Sequence, residues 1–451
     1  MAGLQPTPNT EAETAETIER AETDKAAKSQ ALQAGAYRKV TWRLVPFLFL
    51  CYVVAYLDRV NVGFAKLQML SDLKFSEAAY GLGAGIFFIG YFIFEVPSNL
   101  ILHRTGARRW IARIMVTWGF LSASMMFVTS ETMFYVLRFF LGAAEAGFFP
   151  GIILYLTFWF PSRQRGRIVA LFMTAIAMSG VVGGPLSGWI MTSMAGINGW
   201  AGWQWLFLLE GLPSVLMGVV VLFYLDDAIA QARWLTADEK DVLQANIAAE
   251  QKTQTHMTIA QTFKNPQVLM LSGLYFFFIM GLYGVSFWLP QLIKNLGVKD
   301  IMTVGLLSAI PYGVAAVCMV LVGQSSDRHA ERRWHLVVPA ALGAAGLVLS
   351  GVYGNQPVLG MLALTLGTAG ILSVLPVFWT LPTAFLTGAS AAAGIALVNS
   401  IGNLAGFLSP YLVGLIKEAT GNTTLALYML ACSMFLGAIL TFFVTRQPGK
   451  S

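Results

Sequence analysis

Twelve apolar stretches of about twenty residues recur along the chain, and each is long enough to cross a bilayer as a helix. They run near 43–65, 79–102, 110–129, 131–156, 168–193 and 203–225, then near 268–292, 302–323, 335–353, 357–379, 388–415 and 423–445. Composition agrees: 56% of the 451 residues are hydrophobic and 12% are charged, against about 25% charged in an ordinary soluble domain. Too little polar surface remains to cover a globule. This excludes a disordered chain and a nucleic-acid binder and disfavours a soluble enzyme. The expectation is an all-α membrane protein of twelve transmembrane helices, with the lipid bilayer as its main partner.

One long polar segment, 226–266, divides the spans six and six, with bundles over 41–225 and 267–446. A short amphipathic helix is expected in it after Thr236. Residues 1–40 are polar and rich in Ala, Glu and Thr, with no apolar core for a cleavable signal; they read as a cytoplasmic tail, largely disordered up to about Gln30. Residues 447–451 form a short second tail. If the N-terminus is cytoplasmic, the inner loops carry thirteen Lys and Arg and the outer loops five (Lys66, Lys74, Lys294, Lys299 and Lys417). The positive-inside rule then puts both termini in the cytoplasm. The net charge of +6 reflects this distribution. Cys51, Cys318 and Cys432 lie in apolar stretches without metal-ligand spacing and are expected neither to pair nor to bind metal. Gly81-Leu-Gly83-Ala-Gly85 lies in a membrane segment with no preceding strand and is no phosphate loop.

The halves echo each other. Asn99-Leu-Ile-Leu-His-Arg104-Thr-Gly106-Ala-Arg108-Arg109 follows the second span, and Gly323-Gln-Ser-Ser-Asp327-Arg328-His-Ala-Glu-Arg332-Arg333 follows the eighth, an internal repeat. Together these features resemble the major facilitator superfamily from residue 40 to 446, whose loop pattern is G-x-x-x-D-R-x-G-R-R. The second copy is the closer; the first has Asn99 for Gly and His103 for Asp. That departure, Tyr56-Leu-Asp58-Arg59-Val-Asn61-Val-Gly63-Phe-Ala in helix 1 and Arg138…Glu145-Ala-Gly147-Phe-Phe-Pro150-Gly in helix 4 resemble the anion:cation symporter family. The resemblance implies two six-helix halves with a site between them near the midplane, alternating access, and uptake of organic anions such as phthalate, tartrate or sugar acids with protons, in a bacterial inner membrane. No cofactor other than the coupling proton is implied, and a monomer is expected. Arg104, Arg108, Asp327 and Arg328 would serve as gating loops.

A charge at mid-bilayer costs about 2.5–3.5 kcal/mol even on the lenient scale, so each demands a reason. Asp58, Arg59, Glu95, Arg138, Glu145 and Glu210 lie well inside the expected spans, all in the first half. Arg138 and Glu145 are seven apart, hence on one helix face, roughly 10 Å apart along the axis. Adjacent Asp58 and Arg59 diverge by about 100° and cannot face one partner. A guanidinium stays charged and binds carboxylates bidentately, which makes Arg59 and Arg138 candidates for holding an anion. A desolvated carboxyl exchanges protons near neutrality, which makes Asp58 and Glu145 candidates for coupling protons. The resemblance supports this, since the matching acids and the helix 4 arginine are implicated in coupling there. The competing reading is that these are paired ions fixing helix packing, with Asp58 opposite Arg138. Glu95, two turns before the His103–Arg109 loop, is expected to pair with its arginines in a structural or gating role. Glu210 is left open.

Tyr56 and Tyr91 can donate hydrogen bonds to a carboxylate, and the resemblance puts tyrosines at these places in the cavity wall. Asn399 and Asn403, one turn apart with Ser400 between, form a polar patch. Tyr283, Trp288 and Trp379 are candidate cavity aromatics. Ile176 stands where sugar-acid transporters of the family present a Gln. A site without that amide leaves sugar hydroxyls unpaired, which favours a flatter aromatic anion such as phthalate, with tartrate open. Gly180, Gly183, Gly184, Gly188, Gly402 and Gly406 read as helix-packing surfaces. A membrane ligand sensor is the alternative from another class. An enzyme finds no motif.

Overall fold

The computed structural model describes residues 8–252, 259–385 and 388–445; the expected tail 447–451 lies outside the described residues. All twelve expected spans are helices: spans 1 to 6 cover Ala27–Leu73, Glu77–Leu102, Ala107–Phe127, Glu131–Thr157, Leu171–Ser193 and Gly202–Tyr224, and spans 7 to 12 cover Pro266–Asn295, Ile301–His329, Arg333–Val352, Pro357–Pro382, Gly394–Thr420 and Thr424–Val444. Several open on side-chain caps that satisfy a terminal N–H. Ser76 Oγ accepts from Ala79, Asn265 Oδ1 from Gln267 and Asp300 Oδ2 from Thr303. Pro266 sits in the first turn of span 7, where its missing N–H costs nothing. Leu216, Phe223, Val358 and Leu362 are each more than 60% exposed, the side chains a lipid-facing belt requires.

An even number of crossings puts both chain ends and the inter-half segment on one side, called here the linker face, with the far face opposite. The segment holds the expected helix, Ala237–Lys252, started by a capping box. Glu239 accepts the Thr236 N–H at 2.9 Å and the Thr236 hydroxyl accepts that of Glu239 at 3.3 Å. The Lys39 ammonium, 2.5 Å away, holds the Glu239 carboxyl below its ordinary range and ties this helix to the first.

The first helix takes in most of the amino-terminal stretch that was expected to be largely disordered up to about Gln30. A single helix runs Pro8–Val60, because its Ala, Glu and Lys content favours helix and propagation from an anchored span needs no new nucleus.

Two spans are broken where the chemistry lies. Span 1 is interrupted at Asn61, between helices Pro8–Val60 and Val62–Leu73. Span 4 breaks between Glu131–Glu145 and Phe148–Thr157. There Gly147 takes φ +84, and a Cβ would lie 2.3 Å from Ser98 Oγ. Only glycine adopts that conformation without strain in so little space. Small residues also set the helix seams. Across the halves, Gly184 meets the Gly305 carbonyl (spans 5 and 8), and Gly81 meets that of Pro410 (spans 2 and 11). Within the first half, a Cβ on Gly142 would lie 1.8 Å from the Phe87 carbonyl oxygen, which belongs to a helix backbone and cannot swing aside. Gly142→Ala is therefore expected to push spans 2 and 4 apart and destabilise by about 1–3 kcal/mol. An unchanged thermal unfolding midpoint of the purified variant would contradict it.

Candidate functional site

At the centre of the half interface the Arg59 guanidinium binds Glu145 of span 4, through Nε at 3.0 Å and through Nη2. Its Nη1 donates to the Tyr283 hydroxyl of span 7 at 2.7 Å. One side chain thus joins both halves. Aromatic rings enclose it: Tyr91, Phe87 and Tyr56 lie 5.4, 5.5 and 5.7 Å from its guanidinium carbon, close enough for cation–π attraction. Arg59 and Glu145 are 4% and 1% exposed. The break in span 4 leaves Glu145 at a helix end, free to meet Arg59.

Asp58 points the other way, into the first bundle. Its carboxylate accepts from Trp118 Nε1 and Ser122 Oγ of span 3, each at 2.9 Å, and from Ser214 Oγ of span 6. All are neutral donors. The anticipated opposition of Asp58 and Arg138 is absent, because Arg138 Nε and Nη2 donate to the carbonyls of Gly83 and Ala84, each at 3.1 Å. Arg138 is fully buried with Nη1 unpartnered, so it is a cation with no carboxylate directly on it. Its guanidinium carbon lies 4.9 Å from the Phe87 ring that also flanks Arg59, and 5.9 Å from Phe287 of span 7.

Glu95 does not pair with the basic loop. Its carboxylate accepts from Asn399 Nδ2 at 2.7 Å and Ser400 Oγ at 2.5 Å, both on span 11, with Asn403 adding a contact. The reason is rotational: Glu95 lies on the face of span 2 turned to span 11, whereas Arg104 is exposed. The polar patch of span 11 thus answers a carboxylate. In the repeat loops, Arg108 accompanies Asp227 through its backbone N–H at 2.8 Å, Asp327 pairs with Arg332 at 2.6 Å, and Arg328 is exposed. Tyr56 shares a hydrogen bond with Ser286 of span 7 at 3.1 Å. Ile176 is buried among apolar neighbours.

On the far face the halves are closed by a cluster that the sequence reading did not single out, having counted Lys66 and Lys417 as loop residues. Glu77 pairs with Lys66 at 2.7 Å and with Lys417 of span 11. Lys66 Nζ sits 3.6 Å from the centre of the Trp288 ring, so Trp288 serves this cluster. Tyr80 donates to the Phe287 carbonyl at 2.9 Å. The available signal was the apolar Val62–Ala65 run that leads into Lys66, which carries a second helical segment on from Asn61 to Leu73. Glu77→Gln removes both ion pairs, worth about 1–2 kcal/mol in total, which shifts the open fraction roughly five- to thirty-fold. With the three native cysteines replaced, thiol labelling of Ser286→Cys should accelerate accordingly; an unchanged rate would contradict a closing role.

Towards the linker face a cleft of about 1190 Å³ opens between spans 1 and 5 and spans 8 and 10. Thr174, Pro376, Val377 and Thr380 line it. Trp379, next to Thr380, lies 5.3 Å from Phe149 of span 4 and 5.1 Å from Tyr275 of span 7 between ring centres. These rings join the halves beside the cleft. Two buried cations and one partnered carboxylate, enclosed by aromatics between two bundles, suit the binding of an anion. Residues 48–410 match the family model of the Major Facilitator Superfamily.

The chain belongs to that superfamily. It is 52% identical over 417 residues to the "Putative metabolite transport protein NicT" of Pseudomonas putida, covering 92% of this chain and 94% of the relative. It is 49% identical over 423 residues to a "Putative tartrate transporter" of Agrobacterium vitis, covering 93% of each. The xylose transporter XylE of E. coli shares the fold, with a TM-score of 0.71 at 16% identity over 91% of this chain and 99% of that one. The protein is a multi-pass membrane transporter of the superfamily, not an enzyme.

Proposed function

We propose that this protein imports a small organic anion together with protons by alternating access, in a bacterial inner membrane, as a single chain. The linker face is cytoplasmic on this reading, because thirteen Lys and Arg lie at that end of the spans and in the segments joining them, against five at the far end. The observation that carries the substrate class is Arg138, a buried guanidinium with no carboxylate on it, beside the Arg59–Glu145 pair. A proton on Glu145 removes the charge that holds Arg59. A substrate carboxylate then replaces it, and a second carboxylate meets Arg138. When Arg59 lets go of Tyr283, the halves lose a direct link and can rock.

Two guanidiniums flanking one phenyl ring favour a dicarboxylate. The aromatic enclosure and Ile176 support phthalate, and the name of a 49% identical relative supports tartrate. Uptake of each radiolabelled anion by proteoliposomes, with an inward proton gradient and with it collapsed, separates the cases. Accumulation of either only under the gradient supports symport and identifies the substrate. Uptake that equilibrates regardless of the gradient sinks the coupling.

A further inference from the structure

Glu210 is a buried carboxyl that the mechanism above does not use. It is 2% exposed in span 6. Oε1 accepts from Ser187 Oγ of span 5 at 2.7 Å, and Oε2 has no hydrogen-bond partner. Asn61 of span 1 lies against it and is itself 2% exposed. Asn61 and Ser187 in turn line a cavity of about 20 Å³ between spans 1 and 5 and spans 7 and 8, room for one water. Asp58 is the charged group that faces Glu210. Span 3 packs Gly119 and Ala123 against the adjoining Gly211 and Val215, span 5 presents Ser187, and the neighbouring turn Met125–Phe127 carries nothing titratable.

The spacing stacks two polar layers. Asp58 and Asn61 are three apart on span 1, and Glu210 and Ser214 four apart on span 6, so each pair shares a helix face. Ser214 donates to Asp58. The layer of Glu210, Asn61 and Ser187 therefore lies one turn nearer the far face than that of Asp58 and Ser214, since span 1 runs towards the far face and span 6 away from it. Neither carboxyl has a cation on it, but Glu210 accepts from one hydroxyl where Asp58 accepts from three donors, so Asp58 is the better supplied to hold a negative charge.

We propose that Glu210 is the proton-entry station of the first bundle, loaded from the far face through the Asn61–Ser187 cavity and discharging to Asp58. This rests on the proton-symport reading above. The O–H bond of the Glu210 acid breaks as one forms on Asp58, relayed by the Ser214 hydroxyl or by a cavity water. The Glu210 carboxylate then takes a new proton from far-face water.

Two measurements on the purified protein test this. In pH-difference infrared spectra the C=O stretch of protonated carboxyls should lose a titrating band in Glu210→Gln, separate from the band lost in Asp58→Asn. A spectrum unchanged by Glu210→Gln overturns the proposal without reference to any substrate. In proteoliposomes an inward gradient of about one pH unit supports roughly tenfold accumulation per proton carried. With tartrate and phthalate as probes, Glu210→Gln should fall to the equilibrium level yet retain substrate exchange, with Glu210→Asp restoring accumulation. Gradient-driven accumulation by Glu210→Gln at the wild-type level overturns this proposal alone. So does an equal loss of exchange and accumulation in both variants, the mark of a structural role. Wild-type uptake indifferent to the gradient overturns the symport reading and this one with it.

Discussion

Replacing Arg59 with alanine is expected to abolish substrate uptake and to destabilise the protein by about 3–5 kcal/mol, the cost of breaking a buried ion pair and leaving one charge unpartnered. Glu145 would lose its cation partner and Tyr283 the donor that links it to the first bundle. Arg59→Lys should recover part of the stability and little of the uptake, since a point charge cannot make the three directional bonds of the guanidinium. Arg59→Ala combined with Glu145→Gln removes both charges and should restore most of the stability while remaining inactive. Thermal unfolding of the three variants with proteoliposome uptake checks this. Uptake by Arg59→Ala at the wild-type level would show that the pair only holds helices together.

Asp58→Asn should behave differently. Asparagine is nearly isosteric: its carbonyl, in place of Oδ2, accepts from Trp118 and Ser214, and the Ser122 hydroxyl, which faces the other oxygen, can rotate to accept from its amide. Stability is therefore expected to hold. Gradient-driven accumulation should be lost, because an amide carries no exchangeable acid proton, while exchange of substrate across the membrane persists. Asp58→Leu, in contrast, leaves the Trp118 N–H buried without an acceptor, at a cost of about 1–3 kcal/mol. Parallel accumulation and exchange assays on Asp58→Asn decide the matter; accumulation at the wild-type level would remove Asp58 from the coupling path.

The candidate site was legible in kind but not in connection. Asp58, Arg59, Arg138 and Glu145 were singled out because an ion inside a membrane segment needs a reason, and all four are buried between or within the bundles. Their partners were not legible. The divergence of Asp58 and Arg59 follows from helix geometry alone, but which of them meets Glu145 depends on the rotation of span 1 against span 4 and on the break at Gly147. Glu95 was assigned to the nearer basic loop because distance along the chain favoured it; packing turned it towards Asn399 and Ser400, 304 and 305 residues away. A charge such as that of Lys66 ends an apolar run along the chain, whereas the Trp288 ring and Glu77 supply what a buried ammonium requires.

By itself the sequence determined the number of spans, their division into two halves and the ions that had to be explained. Hydrophobic length and charge cost act along one dimension, and a bilayer leaves helices as the means of satisfying the backbone. The tertiary structure decided the pairings: Arg59 with Glu145 and Tyr283, Asp58 with a cage of neutral donors, Glu95 across to span 11, Glu77 between two lysines, and Glu210 against Asn61 and Ser187. Each depends on how one helix is rotated against another. That rotation is set by the close packing of small residues at Gly81, Gly142 and Gly184, which no single segment of the chain records.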